Sequence, residues 1–438
     1  MRGKQLALSL LSGVLVLSGS LVVNAKSTSY KLPKVELSKT VVANIAFKPQ
    51  SSSGLTDYVY DTVDPTSTNF HQYLTPDQFA EKFGRTPEQI SAFQTYLSQY
   101  HLKSSAYPGN LALKVWGTRQ NLIKAFNAKR VKVGKKDYRT KIKLPGKLAS
   151  QTVSVIGVYA TKPKANKAKT SVTPTIPKDS TPPNTDLSKT TFAKKYGAMK
   201  FADRYQLSNL YSKGLTGQGQ RIGVITMNDF KTSDVVKYWD QNGVNADSSR
   251  VNKIYPVENA KAGKLLLSLG ISAPQMESTL DVDQSGEVAP GANIDAYIGI
   301  SLGNVTSSTS IFYTAFMNAV SDDRDKQLTT SFAPNVELAS RWEQNASASM
   351  QQYSDAFNLM LEQAAAEGIT VFRASGDYGP RELPSKQFNH VFSTSPYQVI
   401  TGGTTLPYTR IIDGKIVTVN KERAWGDAYS CLLYTSDA

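Results

Sequence analysis

The most constraining feature of this sequence is an abrupt change of composition near residue 190. Residues 26–190 contain 26 Lys and Arg against 10 Asp and Glu, a net charge of +16, whereas residues 191–438 contain 22 against 25, a net charge of −3. Residues 161–190 are rich in Lys, Pro, Thr and Ser, which predicts an exposed linker and a natural proteolysis site. We therefore expect two modules joined by this linker: a front module, residues 26–160, and a second module, residues 191–430.

The N-terminal segment, residues 1–25, is typical of a secretory signal. Arg2 and Lys4 give a basic start, residues 6–23 are uncharged, and Ala25 closes a short stretch suited to cleavage. An uncleaved membrane anchor is the alternative, because this uncharged stretch approaches the length of a membrane span. We expect a secreted, extracellular protein that keeps no membrane contact after cleavage.

The front module has the pattern of a compact α+β domain. Thr75 and Thr86 each precede Pro, with Gln three residues later, which predicts two capped helix starts. Strands are predicted at residues 41–47, 111–116 and 153–159, and helices at residues 87–100 and 120–126.

The second module alternates between strand and helix patterns, which predicts a parallel sheet with helical crossovers. Strands are predicted at residues 221–227, 293–300, 328–332, 368–374 and 397–402, helices at residues 310–320 and 347–367, and a hairpin with an Asp-Gly turn at residues 410–417.

Three carboxylates are the strongest candidates for chemistry. Glu277 and Asp281 lie four residues apart on a helix predicted to run from Ser272 to Gly286, so they share one face. Such a pair is either a solvated face with two like charges or a shared site in which one carboxylate acts as base and the other orients it. Asp377 follows an apolar run predicted to be a buried strand, and parallel sheets bind ligands at the carboxyl ends of their strands. The alternative for Asp377 is an ordinary turn residue.

Histidine chemistry has little support. His71 and His101 lie in the front module, and His390 has the surroundings of a surface or turn residue. A Ser-His-Asp triad therefore lacks a convincing base, and a His-rich metal site fails for the same reason. The basic front half contains no nucleic-acid motif, so we expect no nucleic-acid partner. The basic front half is better matched, in charge, to the acidic second half of the same chain.

The motifs, taken in order, resemble the sedolisin family of serine-carboxyl peptidases, in its kumamolisin-like pro-form. The resemblance covers almost the whole chain and is specific as an ordered set, although each piece alone is weak. It rests on residues 64–76, Val115-Trp116-Gly117-Thr118, residues 214–222, Glu277-Ser278-Thr279-Leu280-Asp281, Ala289-Pro290-Gly291-Ala292 and Ala374-Ser375-Gly376-Asp377.

The resemblance implies an α/β fold, with a subtilisin-like parallel sheet flanked by helices, preceded by an α+β ferredoxin-like propeptide domain. It implies that Glu277 is the base that activates a serine, that Asp281 orients Glu277, and that Asp377 completes the oxyanion hole. It also implies an acid peptidase that acts on proteins or peptides, and we expect the enzyme to be a monomer. Its basic propeptide would cover the acidic catalytic cleft as an intramolecular inhibitor and chaperone.

The chain departs from the family pattern in several places. Tyr378 stands where the family usually has Ser, and Ser331-Phe332-Ala333 replaces Ser-Trp-Gly, which could alter substrate preference. The family's nucleophile lies in a Ser-Gly-Thr-Ser segment that is not present in these 438 residues. Its calcium ligands are also absent, although calcium is expected in the full-length family. Residues 431–438, which hold the one cysteine, look like a translated sequencing adapter. We therefore expect a truncated peptidase domain, inactive and poorly folded as written.

Two rival interpretations remain. A non-catalytic secreted protein, or a decayed peptidase, could use its basic half to bind an anionic cell wall. A His-dependent subtilisin would instead require His390 as its base.

Overall fold

The computed structural model describes residues 40–132, 138–160, 202, 204–257, 272–300, 308–332, 347–375, 395–405, 407–412 and 415–424. The predicted signal, linker and tail lie outside these residues, as do Asp377, His390 and the turn of the predicted hairpin. Within the described ranges, none of the helices combines the length and the apolar character needed to cross a bilayer.

The front module is built on a four-stranded sheet with the order β2-β3-β1-β6, antiparallel throughout. This interleaving of two strand-helix-strand units confirms the predicted ferredoxin-like fold. Its elements are β1 Thr40–Phe47, α1 Ser52–Asp61, α2 Pro76–Lys82, α3 Pro87–Ser98, β2 Lys103–Ala106, β3 Ala112–Thr118, α4 Arg119–Ala125, β4 Lys129–Lys132, β5 Tyr138–Lys141, α5 Gly146–Ala149 and β6 Thr152–Ile156.

Both predicted capping boxes are present in the front module. The Thr75 and Thr86 hydroxyls accept hydrogen bonds from the backbone N–H groups of Gln78 and Gln89, and the glutamine side chains accept from the threonine N–H groups. Each cap satisfies two backbone donors that the first helical turn leaves free, so the short sequence pattern is enough to fix where α2 and α3 begin.

The second module is built on a six-stranded sheet with the order β12-β11-β10-β7-β9-β8, parallel throughout, as predicted. Its elements are α6 Ser208–Tyr211, β7 Arg221–Thr226, α7 Thr232–Gln241, β8 Val251–Ile254, α8 Ser272–Val288, β9 Asn293–Ile298, α9 Ser308–Ser321, β10 Gln327–Thr330, α10 Met350–Ala366, β11 Thr370–Ala374 and β12 Val399–Thr401. Two short antiparallel pairs follow, β13 Thr404–Thr405 with β16 Arg423–Ala424, and β14 Tyr408–Ile412 with β15 Lys415–Val419.

Two predictions about the second module are wrong in detail. Helix α8 does not end at Gly286 but continues to Val288. A Cβ at Gly286 would lie 2.1 Å from Cζ2 of Trp239, so the glycine admits a close packing partner instead of ending the helix. Strand β11 is not buried throughout, because Val371 is enclosed whereas Phe372 is 37% exposed.

The front sheet packs one face against its own helices and the other against the second module. Val41, Ala43 and Ile45 of β1 pack in a core with α3 and α4. Ala46, on the opposite face, belongs to a core shared with the apolar residues of α9 and α10. Since successive strand residues point to opposite faces, this alternation explains why all of β1 after its first residue is buried.

Polar contacts reinforce this interface between the modules. The Thr56 hydroxyl donates to Oε1 of Glu362 at 2.6 Å, and the Ser347 hydroxyl donates to the carbonyl of Val155 at 2.6 Å. The described contacts of the front module lie mainly on α9 and α10. Coverage of the catalytic cleft by the propeptide stays a prediction.

Candidate active site

Helix α8 lies against the carboxyl edge of the parallel sheet. The buried hydroxyl of Ser278 is hydrogen bonded to the hydroxyl of Thr226, the last residue of β7. This bond holds the first half of α8 at the edge where parallel sheets bind their ligands. Glu277 and Asp281 lie on either side of Ser278 along this half of the helix.

Glu277 and Asp281 lie one turn apart on α8, as predicted. The Ser331 hydroxyl donates a hydrogen bond to Oδ1 of Asp281 at 2.5 Å. The other oxygen, Oδ2, is enclosed and has no hydrogen-bond partner among the described residues. Asp281 as a whole is half-buried, although its carboxyl group is enclosed at Oδ2.

The surroundings of Asp281 strongly favour its protonated form. The pKa of Asp281 is raised to about 8, mainly by burial and also by the neighbouring Glu277 carboxylate, while the hydrogen bond from Ser331 acts in the opposite direction. Burial dominates because a carboxylate loses more solvation free energy than a neutral acid, and a second negative charge adds to this cost. Below about pH 8, Asp281 can therefore hold a proton and offer it to a neighbouring acceptor.

Ser331 owes its position to the end of β10. The Thr330 hydroxyl donates to the carbonyl of Ile225 at 2.9 Å and accepts from the Phe332 N–H at 3.2 Å. These bonds turn the chain immediately after the strand and bring Ser331 to Asp281. The sequence singled out Ser331 only as part of a departure from the family pattern. Its place at the carboxyl end of a predicted strand is the signal that could have found it.

Asp377 lies outside the described residues, so its predicted role is untested. The strand before it, β11, ends at Ala374 and pairs in parallel with β10, where Arg373 is opposite Thr330. The N–H of Ser375 donates to the carbonyl of Thr401 at 2.9 Å and continues this pairing toward β12. The last described residues before Asp377 therefore belong to the sheet edge that carries Ser331.

A second carboxylate pair on α8 was missed. Asp283 and Glu287 are also four residues apart, and both are buried. The pKa of Asp283 is raised to about 8, mainly by burial and also by the negative charges of Glu287 and Asp234. The Tyr238 hydroxyl donates to Oε2 of Glu287 at 2.7 Å. This pair faces α7, so it lies between two helices and away from the carboxylates near Ser331.

The calcium expected in the full-length family stays a prediction. Among the described residues, no three His, Cys, Asp or Glu side chains are arranged to hold a metal ion.

Comparisons with known proteins agree with the motifs. Residues 27–158 match the activation domain of pro-kumamolisin. The chain is 28% identical over 235 residues to kumamolisin of Bacillus sp. (strain MN-32), a match that covers 53% of this chain and 37% of kumamolisin. The chain therefore spans little more than a third of that relative.

Similarities to solved structures are weaker. Pseudomonas sedolisin, a serine-carboxyl proteinase complexed with pseudo-iodotyrostatin, gives a TM-score of 0.32 at 20% identity, covering 46% of this chain and 56% of that chain. The epidermin leader peptide processing serine protease of Staphylococcus aureus gives 0.37 at 10% identity, covering 84% and 70%. The activation-domain match and the similarity to kumamolisin together support a sedolisin-family pro-form, as the motifs predicted.

Proposed function

We propose that this chain is the precursor of a secreted, acid-acting serine-carboxyl endopeptidase that hydrolyses peptide bonds in proteins. The observation that carries the proposal is the buried carboxyl group of Asp281, beside Glu277 and bound by Ser331 at the carboxyl edge of the sheet. Perturbed carboxylates in such positions are typical of acid–base sites.

In this proposal Glu277 is the general base. It takes the proton of a serine hydroxyl as the serine oxygen attacks the peptide carbonyl carbon, and it returns that proton to the leaving amine. A protonated Asp281 would donate a hydrogen bond to Glu277, which orients Glu277 and removes the repulsion between two negative charges. The donor would be the enclosed Oδ2, because Oδ1 already accepts a hydrogen bond from Ser331.

Asp377 is proposed to stabilise the negative charge that develops on the peptide oxygen. A carboxylic acid can donate such a hydrogen bond only while it is protonated, which requires acid conditions unless its surroundings raise its pKa. Glu277, in contrast, must be able to accept a proton. The two requirements together predict an acid pH range for activity.

The front module is proposed to be the activation propeptide. The match of residues 27–158 supports this role. Cleavage within residues 161–190 would separate the front module from a monomeric peptidase, whose substrates are proteins or peptides. The opposite charges of the two modules would add an electrostatic attraction, which weakens as acid protonates carboxylates of the second module. Strong salt should then weaken binding of the front module.

The test is to extend the reading frame through the source locus beyond Asp427 and to assay hydrolysis of a denatured protein at about pH 4. If the extended chain contains a Ser-Gly-Thr-Ser segment, we expect acid peptidase activity that survives replacement of His390 by Ala. The 438 residues alone are expected to be inactive. Activity that depends on His390 would support a conventional subtilisin, and acid activity of the 438 residues would contradict the proposed nucleophile.

A further inference from the structure

A hydrogen-bond network centred on Asn44 crosses the interface between the two modules. The Asn44 amide nitrogen donates to the Ser310 hydroxyl at 3.0 Å and to the Thr314 hydroxyl at 2.9 Å, both on α9. The Tyr107 hydroxyl donates to the Asn44 amide oxygen at 2.9 Å, and the Ser310 hydroxyl donates to the carbonyl of Val42 at 2.8 Å. Each module therefore satisfies polar groups of the other.

This network is sealed from solvent. Asn44, Ser310 and Thr314 are each 0% exposed, and Tyr107 is 5% exposed. The side chains around it belong to the apolar core shared by the modules. A buried amide that loses its partners cannot recover them from water, so a mismatched surface costs more than the hydrogen bond itself contributes.

Two glycines of the front module fix its position on the helices. A Cβ at Gly157 would lie 2.7 Å from Cβ of Ser310, and one at Gly109 would lie 2.3 Å from Nε2 of Gln363. Both glycines have a positive φ, near +90°, which residues with a side chain rarely adopt. The backbone thus approaches α9 and α10 closely, and Asn44 has little freedom to find other partners.

We propose that the Asn44 network determines which peptidase domain the front module recognises. The front module would bind tightly only to a domain whose helix presents hydroxyl groups four residues apart, as Ser310 and Thr314 do. A helix with apolar residues at these positions would leave the buried Asn44 amide nitrogen with a single acceptor, the backbone carbonyl of residue 310 at 3.3 Å, in place of the two hydroxyl groups. Specificity would then come from penalising wrong partners, in addition to attracting the right one. This inference rests on the proposed function only in treating the front module as a releasable propeptide.

The experiment uses the 438-residue chain with a site for an added sequence-specific protease placed within residues 161–190. After the cut, the dissociation constant between the two modules is measured. The near-isosteric Thr314→Val change should raise it by roughly 5- to 150-fold, the range expected when a buried hydrogen-bonding group loses its partner. Asn44→Leu should have an effect of similar size. Thr409→Val, at an exposed threonine of β14, is the matched control and should have no effect.

The decisive variant combines Asn44→Leu and Tyr107→Phe with Ser310→Ala and Thr314→Val, which removes the polar side chains of the network from both modules. We expect it to recover most of the affinity lost in Asn44→Leu alone, since neither the Tyr107 hydroxyl nor the hydroxyls of α9 remain to face an apolar side chain. Additive losses in the combined variant would overturn the proposal, as would an unchanged affinity in Thr314→Val. Spontaneous release of the unsubstituted front module after the cut would also overturn it.

The binding measurement still decides the proposal if one variant fails to fold or if the peptidase is inactive. If Asn44→Leu prevents folding, the Thr314→Val and Ser310→Ala variants still decide the outcome, because they change only small side chains on α9. The measurement does not depend on peptidase activity, so failure of the proposed function would appear in the acid assay and not here. The groups in the network carry no formal charge, so the difference between Thr314→Val and the unsubstituted chain should persist in strong salt.

Discussion

Helix α8 carries two carboxylate pairs with the same spacing, and only one of them has the surroundings of a site. In both pairs an aspartate, Asp281 or Asp283, has a pKa raised to about 8, mainly by burial. Asp281 meets Ser331, which follows a strand at the carboxyl edge of the sheet. Glu287, the partner of Asp283, instead accepts hydrogen bonds from Tyr238 and from the Gln284 amide between packed helices.

The difference shows that a perturbed pKa does not by itself identify a catalytic residue. Burial raises the pKa of a carboxyl group wherever it occurs, including in structural contacts between helices. What distinguishes the pair near Ser331 is its position at the edge of the sheet and its partial exposure. The second pair therefore serves as an internal control for the first.

The largest expected difference between the pairs is catalytic. In a chain extended to include the serine segment, Glu277→Gln should lower kcat/KM by about 10²- to 10⁴-fold, because the base is lost while the shape is kept. Glu287→Gln should leave kcat/KM nearly unchanged, since an amide can still accept the hydrogen bond from Tyr238. Steady-state assays at about pH 4 measure both. Equal losses in the two variants would mean that Glu277 has no catalytic role that Glu287 lacks.

The second prediction concerns the structural face of α8. Gly286→Ala would place a Cβ 2.1 Å from Cζ2 of Trp239, so the indole or the helix must move. We expect a loss of about 1–3 kcal/mol in the free energy of unfolding, the usual cost of overpacking. Denaturant titration of the 438-residue chain measures it. Gly146→Ala is the matched control, because nothing lies within 4 Å of its added Cβ. Equal stability of the two variants would contradict the packing described for Trp239.

The third prediction tests the contact that only the first pair makes. Ser331→Ala removes the hydrogen bond that lowers the pKa of Asp281, so that pKa should rise further. In the extended chain we expect a roughly tenfold fall in kcat/KM, about 1.4 kcal/mol in the activation free energy. An upward shift in the alkaline limb of the pH–rate profile should accompany it. Loss of activity with an unchanged profile would indicate a purely structural role for Ser331.

The sequence predicted local features better than contacts between distant segments. The caps at Thr75 and Thr86 depend on residues three positions apart, so a short pattern contains all the information needed. The parallel sheet was predicted from strand patterns that alternate with helix patterns, and each strand can be recognised from its own short apolar segment. These features, with the shared face of Glu277 and Asp281, were correct because they are set along a few turns of chain.

The errors concern residues whose role depends on a distant partner. Gly286 lies inside α8 because Trp239, 47 positions earlier, needs the space. Ser331 becomes part of the candidate site only when β10 and α8 meet at the sheet edge. The exposure of Phe372 likewise depends on what covers one face of β11, which no local pattern specifies. Such features require the tertiary arrangement, because the sequence gives spacing but not contact.

The last prediction compares the two pairs through their effect on stability. A carboxyl group whose pKa is raised on folding stabilises the folded state fully below its unfolded pKa, near 4, and that contribution is lost as pH rises toward its folded pKa. Asp281 and Asp283 both have folded values of about 8, so stability should fall between about pH 4 and pH 8. Asp283→Asn should reduce the fall in Tm between pH 4 and pH 8 by a few degrees, because an amide has no proton to lose. The groups that act on Asp283 are Glu287 and Asp234, with Tyr238 hydrogen bonded to Glu287, and all of them remain in the variant.

Thermal unfolding of the 438-residue chain from pH 4 to pH 8 measures the slope of Tm against pH, and Asp281→Asn should reduce that slope by a similar amount. An unchanged slope in both variants would mean that neither aspartate gains a proton on folding. Protonation of Asp281 could then not be part of the proposed acid mechanism.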